Sequence, residues 1–266
     1  MLRLTDQPPS SQTLAELSRL QALVSDEEGF VDRSKRAVAL WKTKSGKKTK
    51  AAFAEVKRQL GKMCAQVLRC SYCEDSMGDE IEHIWPKTLF PERAFVWSNY
   101  CLACGPCNGP KSNRFALFTG RGKAWLELDP KLEPVGTAPL LLDPRVDDPT
   151  AFLMLDVLQT FAFVPRPGLS ARELERAKFT IEVLGFNRDV LCETRRVAAR
   201  SFESFLNSYV TAAASHRPDW RAHIERASHP TVWHELVRSS DKLPTMKRLL
   251  ARAPEARGWR VGLASS

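Results

Sequence analysis

The stretch CSYCEDSMGDEIEHIWPK, residues 70–87, and its continuation SNYCLACGPCNGPK, residues 98–111, carry the features from which the fold is read. Cys70 and Cys73 bracket two residues, Cys104 and Cys107 bracket two more, and thirty residues separate the pairs. A CxxC turn points both sulfurs the same way, so two such knuckles can complete a tetrahedral four-cysteine zinc site. Zinc with four protein sulfurs is coordinatively full and cannot bind a catalytic water, so its expected role is structural. A redox CxxC and plain buried thiols are the competing readings, and a redox pair would need a thioredoxin-like context that is absent here. Cys64, Cys101 and Cys192 are left over. Cys101 is close enough to the second knuckle to be an alternate ligand, although a buried thiol is the favoured reading.

The chain of 266 residues is long enough to bury a core without disulfides, and 43% hydrophobic with 27% charged residues is the balance of a folded globular protein. Its formal net charge of +9 is less ordinary. That much like charge repels itself and is usually kept for an anionic partner, with nucleic acid the first candidate and a basic surface without a dedicated partner the other. No run of about 18 apolar residues occurs, so no membrane span is expected. The start, MLRLTDQPPSSQ, lacks an apolar signal core, which makes a reducing cytoplasm the expected compartment and reads the seven cysteines as thiols or metal ligands.

The organisation expected is α+β and mostly helical. Residues 1–69 form a basic helical region, 70–118 the zinc-braced core, 119–169 a connector, and 170–266 a C-terminal helical domain. Leu14, Leu17, Leu20, Leu23 and Val24 predict an amphipathic helix over 12–28, closed by Gly29. From Arg33 to Arg69 the only acid is Glu55, and TKSGKKTK at 43–50 reads as a turn between two helices, with phosphate-facing and merely solvated surfaces both open. Phe152 to Val164 suits a hairpin. Ser170 with Glu173 makes a capping box for a helix ending near Gly185, and Asn187 is expected to cap a long helix to about Ala214. Arg-rich helices separated by Pro218, Pro230, Pro244 and Pro254 follow, and the last few residues are expected to fray.

Inside the cysteine-closed loop lies IEHIWPK, residues 81–87. If Ile81 to Ile84 form a strand, alternation puts Glu82 and His83 on opposite faces, free for separate roles. Asn99 precedes an apolar stretch expected as the second strand, and Asn108 follows the second knuckle where a helix could begin. In this order of features the segment resembles the HNH, or ββα-metal, nuclease family in its variant held by two CxxC knuckles. The matching positions are Glu82, His83, Ile84, Pro86, Asn99, Cys104, Cys107, Asn108 and Lys111, over about 45 residues. The family more often carries Asp before the His, where this chain has Glu82.

The resemblance implies a DNA endonuclease of little sequence specificity. It casts His83 as general base, Glu82 and Asn108 as ligands of one catalytic divalent ion (Mg2+ or Mn2+), Asn99 as the residue that steadies the loop and orients His83, and Lys111 as a phosphate contact. Cys70, Cys73, Cys104 and Cys107 would hold the structural Zn2+. Wider stretches, PKTLFPERAFVWSNYCLACGPCN, LLLDPRVDDP and AKFTIEVLGFNRDVLCETRR, resemble bacterial HNH effectors of anti-phage defence operons of the Septu, retron and Zorya kinds. That similarity implies a partner controlling cleavage, such as an ATPase encoded alongside. Two rivals stand beside this reading. One is a non-catalytic zinc-ribbon module that grips nucleic acid through the basic region, which leaves the spacing of Glu82, His83, Asn99 and Asn108 unexplained. The other is the same site acting on RNA.

Overall fold

Strands β1 (Glu80–His83) and β2 (Tyr100–Ala103) pair antiparallel in the computed structural model, which describes residues 1–64 and 68–262. Glu82 stands opposite Cys101 and His83 opposite Tyr100. This hairpin separates two apolar cores, and the alternation of strand side chains decides which residue enters which. Tyr100, Leu102 and Ile81 join the core built with the N-terminal helices, whereas Cys101 and Ala103 join the core shared with the rest of the chain.

The first core is closed by α1 (Ser11–Ser25), α2 (Gly29–Thr43) and α3 (Lys47–Met63). Leu17, Leu20 and Val24 of α1 meet Phe53, Val56 and Leu60 of α3 at helical spacing. Glu55 binds the two helices together: its carboxylate accepts hydrogen bonds from the backbone and hydroxyl of Ser10, the N-cap of α1, and from the hydroxyl of Thr13. Those donors hold its carboxyl down to about 2. The expected basic turn is confined to residues 44–46, because Lys47 already opens α3.

Helix α4 (Gly105–Lys111) starts directly after Cys104, so Cys107 and Asn108 lie within it rather than ahead of it. A hairpin of β3 (Ala116–Phe118) and β4 (Trp125–Glu127) follows, which the sequence reading did not anticipate. Then come α5 (Pro149–Phe152) and the expected hairpin, β5 (Leu153–Leu155) with β6 (Phe163–Pro165).

Helix α6 (Ala171–Val183) begins at the Ser170–Glu173 capping box. Helix α7 (Asp189–Thr211) is capped at Arg188, not Asn187. The Asn187 amide instead exchanges two hydrogen bonds with the backbone of Phe163, at 2.7 and 2.9 Å, and so holds the edge of β6. Helices α8 (Arg217–Arg226), α9 (Pro230–Arg238) and α10 (Pro244–Arg252) each carry proline in the first turn, where its missing N–H costs nothing. The fraying expected of the last residues concerns 263–266, which lie outside the described residues. Among the described residues no helix is long and apolar enough to cross a membrane.

The C-terminal helices grip the cysteine knuckles. His229 Nε2 meets Asp75 Oδ1 at 3.1 Å, and Thr231 donates through its backbone and hydroxyl to Glu74. Arg188 donates to the Pro106 carbonyl at 2.7 Å and to Cys107 Sγ at 3.6 Å.

Candidate functional site

Cys70, Cys73, Cys104 and Cys107 come together as the spacing required. Their sulfurs all lie within 4.8 Å of one another, and Cys73 Sγ is 3.8 Å from Cys104 Sγ. A tetrahedral zinc with bonds near 2.3 Å separates its sulfurs by about 3.8 Å, so the cluster fits that ion. Both knuckles are closed by backbone turns: Glu74 N–H donates to the Cys70 carbonyl, and Cys107 and Asn108 N–H donate to the Cys104 carbonyl. Hydrogen bonding among the crowded thiols pushes Cys73 and Cys104 down and Cys70 and Cys107 up. Four sulfurs so close cannot all ionise without a cation between them. Cys101 is outside this set. It is a buried thiol on β2, opposite Glu82, and burial raises it.

A cleft of about 260 Å³ opens beside the cluster, walled by Glu82, His83, Asn108, Lys87, Trp41 and their neighbours. His83 is buried on the side of the N-terminal helices. Its ring packs edge-on against Trp41 at 4.2 Å and Tyr100 at 5.2 Å between centroids. His83 Nε2 is 2.9 Å from the carbonyl oxygen of Ala94. A carbonyl can only accept, so Nε2 carries the proton and Nδ1 keeps its lone pair. Burial, then the charge of Lys87, depresses His83 well below the usual imidazole value, with the Ala94 carbonyl opposing and Lys111 and Lys44 adding to the fall.

Asn99 holds the loop that supplies this carbonyl. Its Oδ1 accepts from Trp85 N–H at 2.8 Å, and its Nδ2 donates to the carbonyls of Trp85 and Arg93, both at 2.9 Å. Glu82 points to the opposite side of β1. Its Oε1 sits 2.5 Å from Lys111 Nζ, which also donates to the His83 carbonyl at 2.9 Å. Burial lifts the Glu82 carboxyl above its usual range although Lys111 draws it down. Glu82 Oε1 is fully buried against the Lys111 ammonium. The Glu82 carboxylate and the Asn108 side-chain amide line one cleft, and their oxygens are of the kind suited to a hard divalent cation.

The fold therefore brings Glu82, His83 and Asn108 to one cleft and sets Asn99 and Lys111 behind it. Lys111, expected to meet a phosphate, has no exposed side-chain surface and faces Glu82 instead. Asn108 Nδ2 donates to Glu80 Oε2 at 2.5 Å, a partner the sequence reading missed. Glu80 is two residues from Glu82 on β1, so strand periodicity was the available signal. Trp41 and Lys87 were missed as well, and for Trp41 no local signal exists, because its contact with His83 depends on how α2 docks.

An antiparallel hairpin leading into a short helix, braced by four converging thiols and bearing a His–Glu–Asn cleft, defines the class of this site. No family model matches the chain. It is similar to the Septu protein PtuB of Bacillus thuringiensis, with 26% identity over 125 residues. The matched region spans 45% of this chain and 37% of that relative, so most of the relative's length has no counterpart in the match.

Proposed function

We propose that this chain is a metal-dependent nuclease of the HNH type that nicks or cleaves DNA by phosphodiester hydrolysis with little sequence preference. The observation that carries the reading is the placement of His83, buried in the cleft wall with Nε2 against the Ala94 carbonyl, where burial holds its pKa down. Such an imidazole is neutral at physiological pH, and its Nδ1 is ready to take a proton from an attacking water. Trp41 and Tyr100 restrict the ring, and Asn99 fixes the carbonyl that sets the tautomer. Lys111 holds the Glu82 carboxylate and the His83 backbone in one arrangement. A magnesium or manganese ion held by Glu82 and Asn108 would supply positive charge for the phosphate and the departing 3′ oxygen. A cleft this small leaves little room for reading base edges, which supports phosphate-led binding.

Similarity to a Septu protein supports a role in anti-phage defence, with cleavage restrained until a partner such as an operon-encoded ATPase releases it. The test is to incubate the purified chain with supercoiled plasmid and with single-stranded RNA in magnesium or manganese, alone and with its operon partner. Metal-dependent plasmid nicking is expected. Cleavage of RNA alone would redirect the reading to RNA, and binding without cleavage under every condition would leave a zinc-braced binding module using the exposed basic faces of α2 and α3.

A further inference from the structure

Two lysines beside the cleft, Lys44 at the end of α2 and Lys87 just after β1, are placed unusually. Lys44 caps the C-terminus of α2 in the left-handed region, at φ 36, a conformation that favours glycine and strains a lysine. That turn folds its ammonium back over the indole of Trp41, at 3.8 Å from the ring centroid, and within 5.0 Å of Phe53. Lys87, just beyond β1, lines the cleft and approaches the same indole at 5.6 Å. Trp41 in turn lies against His83. Two half-buried ammonium groups thus flank one aromatic ring in contact with the candidate general base.

Neither has a carboxylate in direct contact, although Glu82 acts on Lys87 from a distance. Among the described residues no carboxylate lies within ion-pair distance of Lys44 or Lys87, and the nearest buried acid, Glu82, is engaged by Lys111. The indole face offers both ammonium groups a cation–π contact but no countercharge. Burial lowers both lysines; Lys87 lowers Lys44 further, while on Lys87 the charge of Glu82 opposes the fall and Lys111 and Lys42 add to it. A phosphodiester would relieve all of this at once.

We propose that Lys44 and Lys87 form a phosphate clamp on the His83 side of the cleft, gripping the nucleic-acid backbone beside the scissile phosphate, with Trp41 as the rigid floor between them. The clamp rests on the nuclease reading for its position in the reaction, but phosphate binding is measurable without cleavage. It would make α2 part of the substrate site rather than a packing helix.

The test uses the full chain carrying His83→Ala, in EDTA, and follows the anisotropy of a short fluorescein-labelled duplex over a salt series. Lys44→Gln and Lys87→Gln are each expected to weaken binding several-fold and to reduce the slope of log K against log salt by about one. Arginine at either position should restore both quantities, which a merely structural lysine would not require. Lys247→Gln, on α10, should leave both unchanged. Wild-type slope and affinity in both glutamine variants would overturn the clamp, even if the parent chain cleaves DNA. Reduced slopes in a chain that never cleaves would uphold the clamp and overturn the nuclease reading.

Discussion

His83 and Tyr100 are register partners across the β1–β2 hairpin, and both donate to a single acceptor, the carbonyl oxygen of Ala94, at 2.9 and 2.7 Å. The two strands and the loop that joins them are thereby locked to each other through one oxygen. Phenylalanine at position 100 would leave His83 as the sole side-chain donor and loosen its ring. Tyr100→Phe should therefore keep the zinc and the fold but lower kcat, with KM little changed, as steady-state kinetics would show.

The pH profile follows from two groups that must both be deprotonated, His83 to accept a proton and Glu82 to bind a cation. Burial lowers His83 and raises Glu82, while Lys87 lowers both. Removing that charge lets both groups hold their protons to higher pH. Lys87→Gln should shift the acid limb of kcat/KM toward neutrality, and an unmoved or downward-shifted limb would contradict the assignment.

Lys111 and Glu82 form an ion pair with both partners buried. Breaking such a pair from one side leaves an uncompensated charge and typically costs about 3–5 kcal/mol. Glu82 already has a raised pKa, so the folded state binds its proton more tightly than the unfolded state, and its contribution to stability falls as pH rises through that window. Lys111→Met raises the folded value further. Urea unfolding should find the variant closer to wild type at pH 5 than at pH 8.

Asn99 satisfies three part-buried backbone groups at Trp85 and Arg93. Each buried group left unpaired costs about 1–3 kcal/mol. Asn99→Ala should lose about 1–3 kcal/mol of stability and most activity, and hydrogen exchange should locate the loss in residues 84–94.

The zinc assignment separates cleanly by residue. Mass spectrometry under native conditions should find one zinc per chain, lost in Cys104→Ser with a large fall in Tm and retained in Cys101→Ser.

How far the sequence revealed this arrangement depends on the range of each interaction. The cysteine knuckles, the Glu82–His83 pair and the Ser170–Glu173 box are local patterns, and each appears where expected, in a fold that is α+β and mostly helical. Lys111 was misread because of helical phase. With α4 starting at Gly105, Lys111 lies four residues after Cys107 on the same inward face, and both are buried. Asn187 was misread because a strand edge competed for its amide. Strands β3 and β4 are three residues each, too short to show alternation. Trp41 could not be found from sequence at all, since it reaches His83 across 42 residues only after α2 has packed on the hairpin.

The central claim is that His83 is the proton acceptor for phosphodiester hydrolysis. Its most direct test is the rate of plasmid nicking in magnesium or manganese by the wild-type chain and by His83→Ala at matched zinc content and DNA affinity. A fall of two orders of magnitude or more is expected, within the range usual for loss of a general base. Equal rates in the two proteins would contradict the account.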